Sequence, residues 1–267
     1  MNSVWDWDKV NDRIVAYLPT ITREDIQKVK EMIDANPPGK IILYITKEQC
    51  KEVEELGFSE EAKMSGFFQG EDTFIYTKYY KADRAKSKSQ DKNKSNLAIV
   101  QRDEKDLTKI NINYGIEKLE ERDLPQLASV FKTVFPVYPT NIFDPAYLKK
   151  ARDTEYTFMV AKDNSGKIVG AASAMDSGFG SAEITDCAVL PDYRGENILQ
   201  GIILALEDEL VGNGINFAYS ITRANSVGMN MTVKRLGYNY EGTLINNCII
   251  STGFEDMNIW TKHLVNR

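Results

Sequence analysis

The sequence predicts an α/β (α+β) protein with a mixed central sheet and flanking helices, preceded by a smaller α/β unit. Three observations predict this. Short apolar runs rich in β-branched residues alternate with amphipathic stretches along the whole chain. The turn Asn164-Ser165-Gly166 is a hairpin signal between two such runs. A residue pattern in the first 80 residues returns near the C-terminus.

The first unit is expected within residues 1–80 and contains alternating strands and helices. Its predicted elements are the strand 13–18, a helix from Thr22 to about Asp34, the strand 40–45 after a Pro-Pro-Gly break, a helix from Lys47 to Leu56 and the strand 73–80. Gly57 is typical of a helix C-cap.

A strongly charged segment follows. Residues 81–96 read KADRAKSKSQDKNKSN, without an apolar residue larger than alanine. Such a segment buries too little apolar surface to fold alone, which predicts a flexible charged linker over residues 81–97. A basic docking tail is the alternative.

The second unit is expected over residues 98–267. Its predicted elements are a strand near 114–118, helices at 122–134 and 145–152, two hairpin strands, a strand from Ala182, a long helix ending near Leu210, the strand 217–222 and a helix over 226–238. The strand, proline stop, polar turn and helix between Ala182 and Leu210 form the most informative segment.

The internal repeat links the two units. Leu56-Gly57-Phe58 is echoed by Leu236-Gly237-Tyr238, 180 positions later, whereas Glu71-Asp72 is echoed by Glu255-Asp256, 184 positions later. A four-residue insertion reconciles the two offsets. The first unit is therefore interpreted as a degenerate copy of part of the second, and coincidence is the alternative.

Composition bounds the function. With 267 residues, 42% of them hydrophobic, the chain is an ordinary globular protein of one large or two smaller domains. A net charge of -6 argues against nucleic-acid binding and is compatible with a cationic small substrate. The N-terminus shows no secretion signal and no run of eighteen apolar residues occurs, so we expect a cytoplasmic protein that does not contact membranes.

Cysteine and histidine usage excludes further classes of site. The three cysteines are widely spaced and form no CxxC pair, which indicates neither a disulfide framework nor a zinc site. His263 is the single histidine and lies near the C-terminus. A histidine-dependent nucleophile or a histidine-rich metal centre is therefore not expected, and no metal is predicted.

The turn at Arg194-Gly195 predicts a cofactor site. A strand that leads through this turn into a helix presents free backbone N–H groups and the positive end of the helix dipole, which suits a pyrophosphate. With the preceding Leu190-Pro191 and Tyr193, the segment resembles the acetyl-CoA-binding motif of the GNAT N-acetyltransferase superfamily. The resemblance implies the GNAT fold, makes the first unit a degenerate GNAT-like unit, and implies that acetyl-CoA is the co-substrate. The residues it assigns to the cofactor are Ala188, Val189, Arg194, Gly195, Glu196, Asn197, Ile198, Leu199 and Asn225.

Two residues of this motif depart from the family pattern. Asn197 stands where the family has its middle glycine, and asparagine tolerates a left-handed backbone better than other non-glycine residues. Leu199 stands at the last small position, so its side chain must point away from the phosphates or cofactor binding is weakened.

The second cofactor motif of the family is matched in part. Asn225 corresponds to the residue that holds the pantetheine arm, and Gly237-Tyr238 ends the following helix. The family's frequent tyrosine acid is replaced by Thr232. Solvent or another residue such as Tyr238 is then expected to protonate the thiolate.

The strand before the motif carries the candidate base. An ammonium with a pKa near 10.4 must lose a proton before it attacks a thioester, and a carboxylate is the expected acceptor. Glu183 matches the family's general-base position, and Asp186 is expected to anchor a substrate ammonium. GNAT proteins typically have a bulge near this point, so the resemblance implies that the N–H groups of Ala188 and Val189 polarise the thioester carbonyl. Capping roles at the strand end are the alternative for both carboxylates.

Several segments resemble the β-lysine N-acetyltransferase family within this superfamily. They are VYPTNIFDPAY at 137–147, GFFQGEDTFIYTKYY at 66–80, SVGMNM at 226–231 and EGTLINNCIISTGFEDMNIW at 241–260. The resemblance implies acetylation of the ε-amine of β-lysine, supplied by a lysine 2,3-aminomutase, to give the compatible solute Nε-acetyl-β-lysine, an osmoprotectant. Candidate substrate residues are Tyr138, Asp186, Asn246, Asn247, Glu255 and Asp256.

Some alternatives remain open from the sequence alone. The Asn pair at 246–247 also suits a turn, and Glu255-Asp256 also suits a hairpin. The acceptor could be another small amine, such as a polyamine or a diamino acid, and the chain could be a non-catalytic acetyl-CoA-binding module. A homodimer is possible.

Overall fold

The computed structural model describes residues 1–35, 37–110, 112–250 and 253–264. Within these residues twelve strands form one sheet: β1 (Val4–Asp8), β2 (Arg13–Leu18), β3 (Lys40–Ile45), β4 (Ser59–Phe68), β5 (Glu71–Tyr79), β6 (Gly115–Lys118), β7 (Tyr156–Lys162), β8 (Ile168–Asp176), β9 (Ala182–Val189), β10 (Phe217–Arg223), β11 (Asn239–Ile250) and β12 (Gly253–His263). The α-helices are α1 (Arg23–Ala35), α2 (Cys50–Glu55), α3 (Gln90–Gln101), α4 (Leu124–Val134), α5 (Pro145–Thr154), α6 (Ile198–Gly212) and α7 (Val227–Arg235).

The strand order is β1-β2-β3-β5-β4-β11-β12-β10-β9-β8-β7-β6. The pairs β2–β3 and β9–β10 are parallel and the other neighbours are antiparallel, so the sheet is mixed as predicted. The two predicted units meet where Gly242 of β11 pairs with Ala62 of β4. Gly242 has a φ of +144°, and a Cβ there would lie 2.5 Å from the Cα of Ala62, so only glycine permits this approach.

The order and direction of the strands are almost the same on both sides of this junction. Outward, one side is β4-β5-β3-β2 and the other is β11-β12-β10-β9, with the same strand senses. Two carboxylates span the junction in a reciprocal manner. Glu241 Oε2 accepts from the N–H of Ser65 at 2.7 Å, and Glu61 Oε1 accepts from the N–H of Ile245 at 3.2 Å. Both pairs obey the 180-residue offset, so the topology agrees with the predicted internal repeat.

One difference between the halves matters for function. β2 and β3 pair along their full length, from Arg13–Lys40 to Leu18–Ile45. β9 and β10 pair only at Ala182–Ala218 and Glu183–Tyr219 and then separate. The second unit thus has a slot between two parallel strands, and the first unit has none at the equivalent place.

The two faces of the sheet are packed differently. Over the second unit, α6 and α7 cover one face and α4 and α5 cover the other. Beyond α4 and α5, the second face continues into the first unit as a cluster that we call the shared face. Its buried members are Val15, Ile42, Tyr44, Ala62, Met64, Phe67, Phe68, Ile75, Phe179, Tyr219, Leu244 and Ile259, with Tyr17 and Ile221 packed against them.

The segment predicted as a flexible linker is instead built into the fold. Helix α3 takes up residues 90–101 and packs on α7. Arg84 is only 1% exposed and donates from Nη1 to the carbonyl of Asn11 at 3.0 Å and from Nη2 to the carbonyl of Asn246 at 3.0 Å. The linker prediction is wrong here because these partners lie 73 and 162 residues away and leave no local pattern.

Across the described ranges, no helix has both the length and the apolar character that a membrane span needs.

Candidate active site

The loop before α6 forms a ring of free donors. Gly195 and Asn197 adopt φ values of +88° and +59°, so asparagine does take the left-handed conformation that its position requires. None of the backbone N–H groups of residues 195–200 donates to another described residue; the first that does, from Gly201, reaches the carbonyl of Asn197. Six unpaired N–H groups at a helix N-terminus match the needs of a diphosphate.

The side chains around this loop leave the donors accessible. Leu199 packs against the core beneath α6, so its large side chain points away from the loop that would bind the phosphates. Arg194 turns back, and its Nε donates to the carbonyl of Val189 at 3.3 Å. Glu196 accepts from the hydroxyl of Tyr114 at 2.6 Å. Ile198 is buried at the start of α6 and anchors the helix end.

The slot between β9 and β10 presents one backbone donor. The N–H of Leu190 bonds to the carbonyl of Val169 on β8 at 2.9 Å, so alternation turns Val189 toward the slot. The contact from Arg194 to the carbonyl of Val189 confirms that this residue faces away from β8. By the same alternation, the N–H of Ala188 faces β8 and its side chain packs under α4 and α5. The predicted contact with the thioester carbonyl is therefore expected from the N–H of Val189 alone. Ala188 is instead a packing residue.

The expected bulge lies in β9 at Asp186. The register with β8 shifts between Ala171 and Ser173, and Asp186 has a φ of +51°. Its carboxylate is buried and accepts from the hydroxyl of Tyr138 at 2.7 Å and from that of Ser173 at 2.6 Å. The structure thus brings Asp186 and Tyr138 together, as two of the predicted substrate residues. Burial raises the pKa of Asp186, and these two hydrogen bonds oppose the rise.

Glu183, the candidate base, lies on β9 with its side chain on the shared face. Its register partner on β10 is Tyr219, a member of the shared face, so Glu183 points to that face. Burial raises its pKa to about 8, the charge of Asp186 adds to the rise, and the charge of Arg13 opposes it. A carboxylate with this pKa is mostly protonated at pH 7 and half protonated at about pH 8, and its ionised form is a much stronger base than an exposed glutamate.

Arg13 was not predicted as a site residue. It begins β2, its Nε donates to Asp8 at 2.9 Å, and its Nη1 donates to the carbonyl of Asn247 at 3.0 Å. Its strand was predicted correctly, but its proximity to Glu183 joins residues 170 positions apart. No sequence signal marks such a contact.

An asparagine on α7 fixes the loop that carries Asn225. The Oδ1 atom of Asn230 accepts from Thr222, Asn258 and Trp260, each at 2.8 Å. Its Nδ2 atom donates to the carbonyls of Arg223 and Ser226, which flank Asn225. Asn230 is 2% exposed and was missed by the sequence analysis.

The residues considered as general acid lie in packed surroundings. Thr232 is 8% exposed, and its hydroxyl donates to the carbonyl of Gly228 at 3.0 Å within the helix. Tyr238 is 3% exposed in the core beneath α6 and α7. The Thr232 hydroxyl is thus bonded within its own helix, and the Tyr238 side chain is packed in the core.

Four predicted substrate residues lie in the β11–β12 hairpin, and the structure gives them structural contacts. Asn246 donates its side-chain amide to the carbonyl of Arg84 at 3.0 Å, and its backbone N–H bonds to Asp256 at 2.9 Å. The other oxygen of Asp256 accepts from Asn93 at 2.9 Å.

Glu255 binds Arg223 in a two-point ion pair at 2.6 and 2.7 Å. Asn247 is buried and offers its backbone carbonyl to Arg13. The substrate-contact prediction for Asn246, Glu255 and Asp256 is corrected to a structural role, because their polar atoms already hold the hairpin and α3. Asn247 acts through its backbone.

An open cleft of about 360 Å³ runs along the shared face. Aromatic side chains of both units form its wall, and acidic residues stand at its rim. Its lining includes Tyr17, Phe67, Phe179, Tyr219, Glu155 and Asp176. The charge of Glu183 raises the pKa of both Tyr17 and Tyr219, and Tyr219 is its register partner on β10, so the candidate base adjoins one wall of the cleft.

Known proteins are similar to this chain in sequence and in fold. Residues 119–238 match the sequence model described as "Acetyltransferase (GNAT) family". The N-acetyltransferase YodP of Bacillus subtilis (strain 168) is 34% identical over 270 residues, which cover 99% of this chain and 97% of that protein. The β-lysine N(6)-acetyltransferase of Methanosarcina mazei is 31% identical over 259 residues, 88% of this chain and 95% of that protein.

The solved structures show the same fold in the second unit. A GNAT superfamily phosphinothricin acetyltransferase from Sinorhizobium meliloti, in complex with AcCoA, superposes with a TM-score of 0.52 at 16% identity. It covers 57% of this chain and 89% of its own length.

Proposed function

Because the chain belongs to the β-lysine N-acetyltransferase family of the GNAT superfamily and is an acetyl-CoA-dependent N-acetyltransferase, we propose that its acceptor is the ε-amine of β-lysine. Two relatives that carry this name are each 31% identical over most of both chains. The observation that carries the chemistry is the placement of Glu183 beside the β9–β10 slot, on the aromatic face that a long alkyl amine requires.

The residues of the slot fit acetyl-CoA. The N–H groups of residues 195–200 suit its diphosphate, and the separated ends of β9 and β10 leave room for its pantetheine arm beside Asn225. When bound, acetyl-CoA supplies a thioester carbonyl as the electrophile. The N–H of Val189 faces the slot and is placed to stabilise negative charge on that carbonyl oxygen.

Glu183 is assigned the role of general base. It takes one proton from the substrate ammonium, directly or through a water, and so generates the neutral amine that attacks in a ternary complex. The Asp186–Tyr138 pair holds the loop between α4 and α5 against the bulge and closes the side of the site opposite the first unit. We expect solvent to protonate the departing thiolate, since Thr232 and Tyr238 are held elsewhere.

The product chemistry agrees with a cellular role as compatible solute. Acetylation removes the charge at the ε-end and leaves a zwitterion at the other end, so the product is neutral overall. A lysine 2,3-aminomutase is the reaction expected to supply the substrate, in the cytoplasm.

A second acceptor class is favoured by one observation. Glu155 and Asp176 stand at the cleft rim and would attract a polycation such as spermidine. A substrate panel separates the two proposals.

The test is the release of CoA, followed with a thiol reagent, from acetyl-CoA with β-lysine, α-lysine or spermidine. The expected result is turnover selective for β-lysine, with mass spectrometry locating the acetyl group on the ε-nitrogen. Equal rates on all three amines, or preference for spermidine, would refute the β-lysine proposal.

A further inference from the structure

Arg13 lies on the same face of the sheet as the candidate base. Side chains alternate along β2, so Arg13, Val15 and Tyr17 point to one side, and the latter two belong to the shared face. Glu183 points to that face with Tyr219. The first unit therefore contributes a cation to a surface whose base comes from the second unit.

The guanidinium is held rigidly and keeps a free donor group. Asp8 takes its Nε, and the carbonyl of Asn247 takes its Nη1. Asp8 is itself fixed by the backbone N–H and side chain of Asn11, whose Oδ1 accepts from the N–H of Ile249. Nη2 makes no hydrogen bond to any described residue, and the side chain keeps 18% of its exposure. Nη2 is therefore free to donate to a ligand carboxylate, which the positive charge of the guanidinium also attracts.

Two tyrosines lie near both this cation and the base. Glu183 raises and Arg13 lowers the pKa of both Tyr17 and Tyr44, so both rings are within reach of both charges. The rings contact each other with centroids 4.6 Å apart, Tyr44 being buried and Tyr17 lining the cleft. A substrate that contacts Tyr17 in the cleft therefore lies near the cation and near the base.

Three other cations of this region are engaged with the protein. Lys40 is fully buried and binds Glu61 and the carbonyl of Ile245. Arg84 is 1% exposed and fixed on backbone carbonyls, and Arg223 is paired with Glu255. Arg13 differs from Lys40 and Arg84 in that its side chain is partly exposed, and from Arg223 in that its charge lowers the pKa of Glu183.

We propose that Arg13 binds the carboxylate of the amino-acid acceptor and so selects amino acids over simple diamines. The inference rests on the function proposed above and adds the residue that recognises the end of the substrate remote from the reacting amine. Asp8, adjacent to the guanidinium, restrains Arg13 and adds a negative charge near the substrate's second ammonium.

The test compares β-lysine with 1,4-diaminopentane, which is β-lysine without its carboxylate and keeps both amines at the same spacing, in wild type and in Arg13→Gln. Loss of one charge-assisted hydrogen bond predicts a fall of roughly 10- to 100-fold in kcat/KM for β-lysine, mainly through KM. The fall for 1,4-diaminopentane should be less than about threefold. Rates are taken on the high-pH plateau, because loss of the Arg13 charge raises the pKa of Glu183 for both substrates.

Arg13→Lys and Arg122→Gln complete the design. The lysine keeps the charge but not the fork, and should recover only part of the β-lysine activity. Arg122 is an exposed arginine on the opposite edge of the sheet, and its replacement should leave the selectivity unaltered. An equal loss on both amines in Arg13→Gln, or no loss on either, would overturn the inference and leave Arg13 as a structural partner of Asp8.

A wrong acceptor assignment would give a different result from a wrong role for Arg13. If wild type acetylates another amine but not β-lysine, the named substrate is wrong. The same comparison is then made between that amine with and without a carboxylate, and Arg13 is refuted if its replacement does not change their ratio.

Discussion

Replacing Glu183 by glutamine removes the candidate base while keeping its size. In wild type its pKa of about 8 means that about 9% of the side chain is ionised at pH 7 and about 91% at pH 9. The kcat/KM for the amine should therefore rise nearly tenfold between pH 6 and pH 7 and level off above pH 8.

The magnitude of the effect follows from the difference in proton affinity. Transfer from an ammonium of pKa 10.4 to a carboxylate of pKa 8 is uphill by roughly 3 kcal/mol, against roughly 8 kcal/mol for an exposed glutamate of pKa 4.3. Burial at the slot thus makes proton transfer easier by about 5 kcal/mol. Glu183→Gln should lower kcat by about 10²- to 10⁴-fold.

The assay is CoA release at saturating acetyl-CoA and subsaturating amine between pH 5.5 and 9.5, which gives kcat/KM for the amine. Glu183→Gln should lose the inflection near pH 8, whereas Glu121→Gln, which removes an exposed carboxylate paired with Lys149, should keep it. If the inflection near pH 8 persists in Glu183→Gln, another group is the base and this assignment of Glu183 fails.

A stability measurement checks the same pKa without substrate. Because the folded-state pKa of Glu183 is raised, the folded state binds the proton more tightly than the unfolded chain between about pH 4.5 and pH 8. This carboxyl therefore makes the protein less stable as the pH rises through that window. Glu183→Gln should have a higher Tm than wild type at pH 8 and nearly the same Tm at pH 5.

Three further substitutions test the parts that hold the site. Asn197→Gly should leave the KM for acetyl-CoA within about twofold, whereas Asn197→Ala, forced into a left-handed conformation, should raise it about 5- to 30-fold in the same CoA-release assay. Asn230→Ala removes five hydrogen bonds and leaves the buried donors of Thr222, Asn258 and Trp260 unsatisfied. It should lower the free energy of unfolding by about 3 kcal/mol or more in urea titrations, against less than about 0.5 kcal/mol for the exposed Asn213→Ala. Glu61→Gln leaves the buried ammonium of Lys40 without its anion and should cost about 3–5 kcal/mol by the same measurement, with equal stability to wild type as the contrary result.

Local patterns predicted the elements that local forces determine. The strand Lys40–Ile45 was placed at its observed ends because an unbroken apolar run lies between a Pro-Pro-Gly break and a polar turn. The conformation of Asn197 was expected for the same reason, since the backbone preference of one residue decides it. The strand β4 was missed, because it starts with three polar residues and two register shifts break its alternation.

Contacts between distant residues account for the wrong and missed assignments. The internal repeat already indicated a structural role for Asp256, because Asp72 stands at the equivalent place in the first unit. Asp72 accepts a hydrogen bond from the N–H of Gly66 at 3.1 Å, and Asp256 accepts the equivalent bond from the N–H of Asn246. A carboxylate that recurs in a unit without a cofactor slot is expected to be structural. Arg13 had no such marker, because its site partner belongs to the other unit.

The two units contribute different parts of the candidate site, which explains how the first unit can be functional although it lacks a cofactor slot. The slot, the candidate base and the N–H proposed to polarise the thioester all belong to the second unit, which contains the residues 119–238 that match the GNAT family model. The first unit adds Arg13, Tyr17 and Tyr44 to the face in front of the base. Because the close pairing of Gly242 with Ala62 joins both units in one sheet, this wall is fixed relative to Glu183 without a separate domain interface. We therefore expect acceptor choice to be altered by substitutions in the first unit that leave acetyl-CoA binding intact.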